Sequence, residues 1–338
     1  MKKALILSML FIVLSALRET GFYMKTPSGW PVPVYDFSKN PPTASSVQLG
    51  RQLFYDPALS ADGKVSCASC HSPFSAFAHN DHALSHGIHD SIGTRNAPAL
   101  FNLAWRNSFM WDGAIHHLDM QALAPISHPA EMGSDLKTVV DKLSRSNTYR
   151  GRFNDAFGDS MVTGERTLKA IAQFLVTLVS CNSKYDSVQA GTTAFNEQEL
   201  SGYSLFKANC NSCHAEPLFM SNEFTSNGIS ATADAGRSKV TGNIHDSLRF
   251  QIPSLRNLSF TQPYMHDGRF KRLQDVINHY SSVNSNSTPE DPRMRTIQTM
   301  DQKQKIDLLA FLLTLNDRHF IFQSDHLDPY SYSSIDTK

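Results

Sequence analysis

Cys67-Ala68-Ser69-Cys70-His71 and Cys210-Asn211-Ser212-Cys213-His214 decide how this chain is read. Both have the form C-x-x-C-H, the attachment signature of a c-type haem. Two thiols three positions apart share one helical turn and reach both vinyl groups of one macrocycle. The histidine that follows sets an imidazole under the iron as proximal ligand. The motifs lie 143 residues apart, and neither has the close second ligand pair that a structural zinc site needs. Cys67, Cys70, Cys210 and Cys213 are therefore assigned to two covalent haems c, with His71 and His214 as proximal ligands. Cys181, the fifth cysteine, ends the apolar helical stretch Leu168–Ser180 and reads as a buried free thiol.

The flanks of the motifs repeat as well. Leu53-Phe54 precedes the first motif and Leu205-Phe206 the second. Asn102-Leu103, Trp111-Asp112-Gly113 and Leu118 recur 155 residues on as Asn257-Leu258, His266-Asp267-Gly268 and Leu273. Phe174-Leu175-Val176-Thr177-Leu178 matches Phe311-Leu312-Leu313-Thr314-Leu315, each late in an amphipathic helical window, with Asp301 as N-cap of the second. No long alternating run flanks either motif, so strand content is expected to be small. The expected fold is all-α: two c-type-cytochrome-like helical domains related by internal duplication. The division is a signal peptide at 1–19, an extended segment at 20–45, an N-terminal domain at 46–188, a C-terminal domain at 189–325 and a tail at 326–338.

Composition narrows the function. Lys+Arg and Asp+Glu are both 31 among 338 residues, so the basic excess of a polyanion binder is missing and nucleic acid is not an expected partner. Hydrophobic residues make up 41%, too many for a disordered chain. Lys2 and Lys3 precede an apolar run from Ala4 to Leu17, shorter than the roughly 20 residues that span a bilayer. This pattern reads as an export signal, and no other run reaches spanning length.

The repeat makes a sharp comparison at the sixth position of each iron. Tyr280, in the stretch Leu273–Tyr280, can offer a phenolate; its counterpart 155 residues earlier is Pro125, which has no donor. If Tyr280 closes the second iron, the first is open, giving one electron-handling and one catalytic haem. His279, Met265, Met294 and Met300 are rivals for the same position, and His266 reads equally as a ligand or as a hydrogen-bonding histidine. Near the open side stand Glu131, a carboxylate able to move a proton between peroxide oxygens, and Gln121, an amide able to bond a bound oxygen.

The ordered motifs Cys67–His71, Arg95–Pro98, Trp111–Gly113, Glu131–Gly133, Cys210–His214, Pro253–Asn257 and His266–Phe270 resemble those of the bacterial diheme cytochrome c peroxidases, over about residues 48–317. The resemblance implies a periplasmic peroxidase with a peroxidatic N-terminal haem and an electron-transfer C-terminal haem. Glu131 then corresponds to the acid–base carboxylate and Trp111 to the tryptophan between the haems. Asn96, Thr261 and Pro263 correspond to an inter-domain Ca²⁺ site, through a side-chain oxygen and two carbonyls. Hydrogen peroxide is the implied substrate, and a small c-type cytochrome or cupredoxin the implied donor. Homodimers are common in the family. Two departures matter. Ordinary members carry methionine where Tyr280 stands. Tyrosine there, with Gln121 and Pro125, is similar to the branch of the methylamine dehydrogenase maturation enzyme, which acts on a partner protein to complete a tryptophan tryptophylquinone cofactor. A phenolate ligand favours Fe(III) and implies a low potential for the second haem. His86 lies in the loop from which ordinary members cap the peroxidatic iron, but its spacing to Arg95 is two residues longer. The resemblance is thus read with that iron open at rest. A diheme electron carrier without catalysis is the remaining alternative.

Overall fold

The computed structural model describes residues 26–229, 233–282 and 291–330; the expected signal peptide lies outside them. The longer helices are α1 (Ala44–Tyr55), α2 (Leu136–Arg145), α3 (Asn147–Phe157), α4 (Gly164–Thr177), α5 (Glu197–Asn209), α6 (Leu273–Ser282) and α7 (Gln302–Leu313). The only strands among the described residues are β1 (Phe224–Thr225) and β2 (Phe250–Gln251), an antiparallel pair. Helix starts follow from capping chemistry. Thr43, Thr163, Asn196 and Asp301 each accept a backbone N–H from the first turn of their helix, and Asn196 and Asp301 are answered by Glu199 and Gln304 in reciprocal boxes. The cap expected at Asp301 is present, and Asn196 caps α5 in the same way. The expected extended segment is helical from Ala44.

Two helix crossings carry the packing. In α1, Gly50 lies so close to α4 that a Cβ there would run into the Ala170 carbonyl and crowd Phe174. In α5, Gly202 meets α7 in the same way, at the Asp307 carbonyl and Phe311. Each crossing is filled by three buried rings. Phe54, Phe77 and Phe174 have centroids 5.3–6.2 Å apart; Phe206, Phe219 and Phe311 have centroids 5.2–6.2 Å apart. Edge and tilted ring contacts of this kind add to the burial energy of the rings. Around these trios the buried apolar side chains form two clusters, one mostly from residues before 180 and one mostly from residues after 205.

The loops after the motifs also follow one plan. Asn102 and Asn257 both take left-handed backbone, φ 57° and 63°. Their Oδ1 atoms accept from Ser180 N at 2.9 Å and Asp317 N at 2.8 Å. An amide able to satisfy backbone groups explains why asparagine stands where the chain turns this way.

The chain crosses between the two clusters. Tyr185, on the N-terminal side of the expected boundary at 188, packs into the second cluster, whereas Phe320 and Ile321 pack into the first. The segment expected as a tail begins with a buried His326, stacked edge-on against Phe77 and Phe320. Arg51 and Tyr55 of α1 donate to the Leu327 and His326 carbonyls. Arg95 pairs with Asp112 of its own half at 2.6 Å and, between the halves, with Asp234 at 2.6 Å, both carboxylates being largely buried. No helix among the described residues is long and apolar enough to cross a membrane.

Candidate functional site

Each C-x-x-C-H histidine is aimed by its own aromatic trio. Phe77 and Phe219 adopt left-handed backbone, φ 58° and 54°, which turns their carbonyls toward the motif. The Phe77 carbonyl lies 2.8 Å from His71 Nδ1. The Phe219 and Pro253 carbonyls lie 3.3 Å and 3.0 Å from His214 Nδ1. A carbonyl at Nδ1 fixes the tautomer with the proton on Nδ1 and leaves Nε2 a free donor for a metal. Burial pulls both imidazoles down to about 4, so they are neutral at neutral pH. The same burial pushes the Cys67 and Cys210 thiols up to about 12. These are shielded thiols rather than reactive surface cysteines.

A mostly apolar cavity begins at Cys210, Cys213 and His214 and runs between the halves to Ala78, Phe101, Trp111 and Gln121. Two buried polar atoms of its lining residues have no protein partner, His266 Nε2 and Gln121 Oε1. Among the described residues, the Gln121 amide nitrogen meets only the Met110 sulfur, at 3.1 Å. An apolar slot with a free imidazole nitrogen, paired thiols and orphaned polar atoms fits a covalently held haem.

Tyr280, on α6, lines this cavity with His214, as do Met265, Met294 and Met300. Its phenol is pushed up to about 12 by burial, with the Asn227 side chain pulling the other way. It keeps its proton unless a metal cation draws out the phenolate. Of its rivals, His279 is engaged by the Asn227 carbonyl at 2.9 Å, and the Met265 sulfur by Asn227 Nδ2 at 3.3 Å. Gln121 and Pro125 lie in successive short helices, Leu118–Gln121 and Leu123–Ser127, beside the first motif's half.

Glu131 is half-buried, and its carboxyl is held above the usual range by burial, which the nearby His128 partly offsets. It lies close enough to the Cys70 thiol to act on its charge. The His86 loop is packed onto it: Ile88 N donates to the Glu131 carbonyl at 2.7 Å, and any side chain at Gly87 would strike Ala130 and Glu131. His86 itself stacks on His82, and its Nδ1 lies 2.8 Å from Asp90. Trp111 ties the halves. Its indole donates to the Asn96 carbonyl at 2.8 Å, and its own carbonyl accepts from Gln251 of β2 at 2.7 Å.

Asn96, Thr261 and Pro263 all line the cavity. Asn96 Nδ2 donates to the Ala83 carbonyl at 3.1 Å, which turns its Oδ1 the other way. Sequence reasoning did not single out Arg106, a cation on the cavity wall, nor the ion cluster around Arg95. The one signal for Arg106 was a basic residue inside the apolar stretch Ala97–Trp111.

Comparison with known proteins agrees with this geometry. The family described as di-haem cytochrome c peroxidase matches residues 44–194. The methylamine utilization protein MauG of Methylophilus methylotrophus is 35% identical over 304 residues, covering 86% of this chain and 87% of its own. The cytochrome c551 peroxidase of Nitrosomonas europaea is 33% identical over 296 residues, covering 86% and 85%. A solved MauG-like protein associated with microbial copper homeostasis superposes with a TM-score of 0.83 at 29% identity, covering 91% of this chain and 99% of that one. With its two haem-attachment motifs, each backed by a carbonyl-aimed histidine, the chain belongs to the di-haem cytochrome c peroxidase family and is an oxidoreductase of that class.

Proposed function

We propose that this protein is a periplasmic peroxidase that reduces hydrogen peroxide to water with two electrons from an external protein donor. The first half does the chemistry and the second relays electrons. The reading rests above all on the asymmetry between Tyr280 and Pro125 at positions 155 residues apart. Cys67 and Cys70 would hold the first haem with His71 below its iron, and Cys210 and Cys213 the second with His214. The haems supply the redox chemistry. Tyr280 would close the second iron, and the first would stay open at rest, since the His86 loop is two residues longer to Arg95 than in members that cap that iron.

The chain's own residues then have defined tasks. Glu131 takes a proton from one peroxide oxygen and returns it to the leaving oxygen, and its raised pKa suits both directions. Gln121 offers its amide to the bound substrate. Trp111, bonded to Asn96 on one side and to β2 on the other, stands between the two centres as an electron route. The Asn96 side-chain oxygen and the Thr261 and Pro263 carbonyls would hold one Ca²⁺. The recurring crossings, ring trios and asparagine turns support an origin by duplication, with domains at 46–188 and 189–325 that exchange Tyr185 and the segment after 318.

A second reading is favoured by Tyr280 standing where ordinary peroxidases have methionine. In it, the oxidising equivalents are withdrawn from a residue of a partner protein instead of from a small cytochrome or cupredoxin. The test is the spectrum of the resting enzyme before and after stoichiometric peroxide, followed by turnover with a reduced small cytochrome. A high-spin five-coordinate haem beside a tyrosinate-ligated one, and sustained turnover, support the peroxidase. Two six-coordinate low-spin haems at rest would sink it. Rapid peroxide reaction without cytochrome turnover would favour the partner-modifying enzyme.

A further inference from the structure

Three arginines line the cavity among the described residues: Arg106, Arg256 and Arg293. Two have carboxylate partners. Arg256 grips Asp186 with a two-point fork at 2.8 and 2.7 Å, and Arg293 pairs with Asp291 and Glu223, each at 2.7 Å. Arg106 has none among the described residues. Its side chain makes one hydrogen bond, to the Ser221 carbonyl at 2.9 Å.

Arg106 is held there by construction. Asn222 Nδ2 donates to the Trp105 carbonyl at 3.1 Å, and Asn107 N donates to Asn222 Oδ1 at 3.2 Å. Three consecutive residues of the first half are thus latched to residues 221 and 222 of the second, just beyond His214. The position has an electrostatic cost. Desolvation at the mostly apolar cavity wall pulls the guanidinium down to about 9. A partly buried cation without a counter-ion among the described residues is an unfavourable arrangement that an anion in the cavity would relieve. The planar fork of arginine matches a carboxylate in two parallel hydrogen bonds.

We propose that Arg106, a residue of the first half, is the counter-ion of a propionate carboxylate of the second haem and sets that haem's potential. The inference rests on the reading that Cys210, Cys213 and His214 carry a haem. Through it, the first half reaches across the interface and tunes the electron-relay centre of the second.

The test uses the fully loaded protein and Arg106→Met, which keeps the length and loses the charge. Haem content is counted first, from the alkaline pyridine spectrum. The midpoint potential of the second haem is then titrated against pH, at low and high chloride. In the native protein the midpoint should vary little with pH and be insensitive to chloride. In Arg106→Met it should fall at neutral pH and become pH-dependent, rising again in acid as the unpaired propionate takes a proton. Two haems per chain with an unchanged potential and pH profile overturn the proposal but leave the diheme reading standing. One haem per chain overturns both. A native midpoint that moves with chloride overturns the propionate as the partner, in favour of a solvent anion. Should Arg106→Met fail to fold, Arg106→Lys keeps the charge but breaks the fork. The propionate bending band in its resonance Raman spectrum should then shift, and an unshifted band overturns the proposal.

Discussion

The surroundings of the two haem motifs are built alike below the histidine and differently above it. Below, both imidazoles are partly buried, neutral and aimed by a left-handed phenylalanine carbonyl from a ring trio. Above, on the proposed function, Gln121, Pro125 and Glu131 belong to the first haem and Tyr280 to the second, and of these Gln121 and Tyr280 line the cavity. The lower side is shared because positioning an imidazole is a packing problem with one good solution. The upper side diverges because the sixth position decides between binding a substrate and passing an electron. On the proposed reading, one scaffold holds two centres of different function, with the difference confined to a few side chains.

The comparison breaks most visibly at Glu131. Glu131→Gln should lower kcat/KM for peroxide by about 10²–10⁴-fold, the usual contribution of a positioned acid–base group, while both haems remain attached. A loss below tenfold would remove Glu131 from the mechanism. In the native protein, burial raises this carboxyl, so the peroxide rate should climb with pH through a midpoint above the ordinary glutamate range. That limb should vanish in the glutamine variant. The same shift stabilises the fold most when the group is protonated, a contribution lost as pH rises from the unfolded pKa through the folded one.

The opposite half is tested at Tyr280. Tyr280→Phe should abolish the phenolate ligation, raise the midpoint of the second haem and leave the first haem's spectrum unchanged. A spectrum altered only at the first haem would exchange the roles assigned to the halves. The shared framework is tested by paired substitutions. Gly50→Ala and Gly202→Ala each force a methyl into a helix backbone, and Phe174→Ala and Phe311→Ala each empty a ring trio. Each phenylalanine change should cost about 3–5 kcal/mol in thermal or denaturant unfolding. Clearly unequal losses within a pair would show that the crossings are not equivalent in energy.

The smallest expected effect lies at the interface. Arg95 holds the Asp234 carboxyl well below the usual range, against the opposing effect of burial. A depressed carboxyl stabilises the fold above its unfolded pKa and loses that contribution as pH falls below about 4. Asp234→Asn should remove about 2–4 kcal/mol at neutral pH, less than a fully orphaned buried cation would cost because Asp112 still faces Arg95. It should also flatten the acid limb of the stability curve. An unchanged acid limb would place the acid sensitivity elsewhere.

Much of this molecule was legible in one dimension. C-x-x-C-H is a local signal, since thiols and imidazole must share a helical turn. The capped helices at Glu197 and Gln302 and the 155-residue repeat are equally local, written in neighbouring residues or in fixed offsets. The contrast between Tyr280 and Pro125 came from that repeat. What the sequence could not reveal depends on contacts between distant residues. Tyr185 and Phe320 sit in each other's half because burial, not chain order, assigns a side chain to a core. His86 is held by Asp90 because a loop settles its own hydrogen bonds on folding. Arg106 looked like any surface arginine, and only the fold showed that it lies in a cavity without a carboxylate among the described residues. The sequence determined which groups could attach and ligate a metal, because that chemistry is carried by residue type and short spacing. Tertiary structure decided which charges are buried together, because desolvation and pairing exist only once distant segments meet.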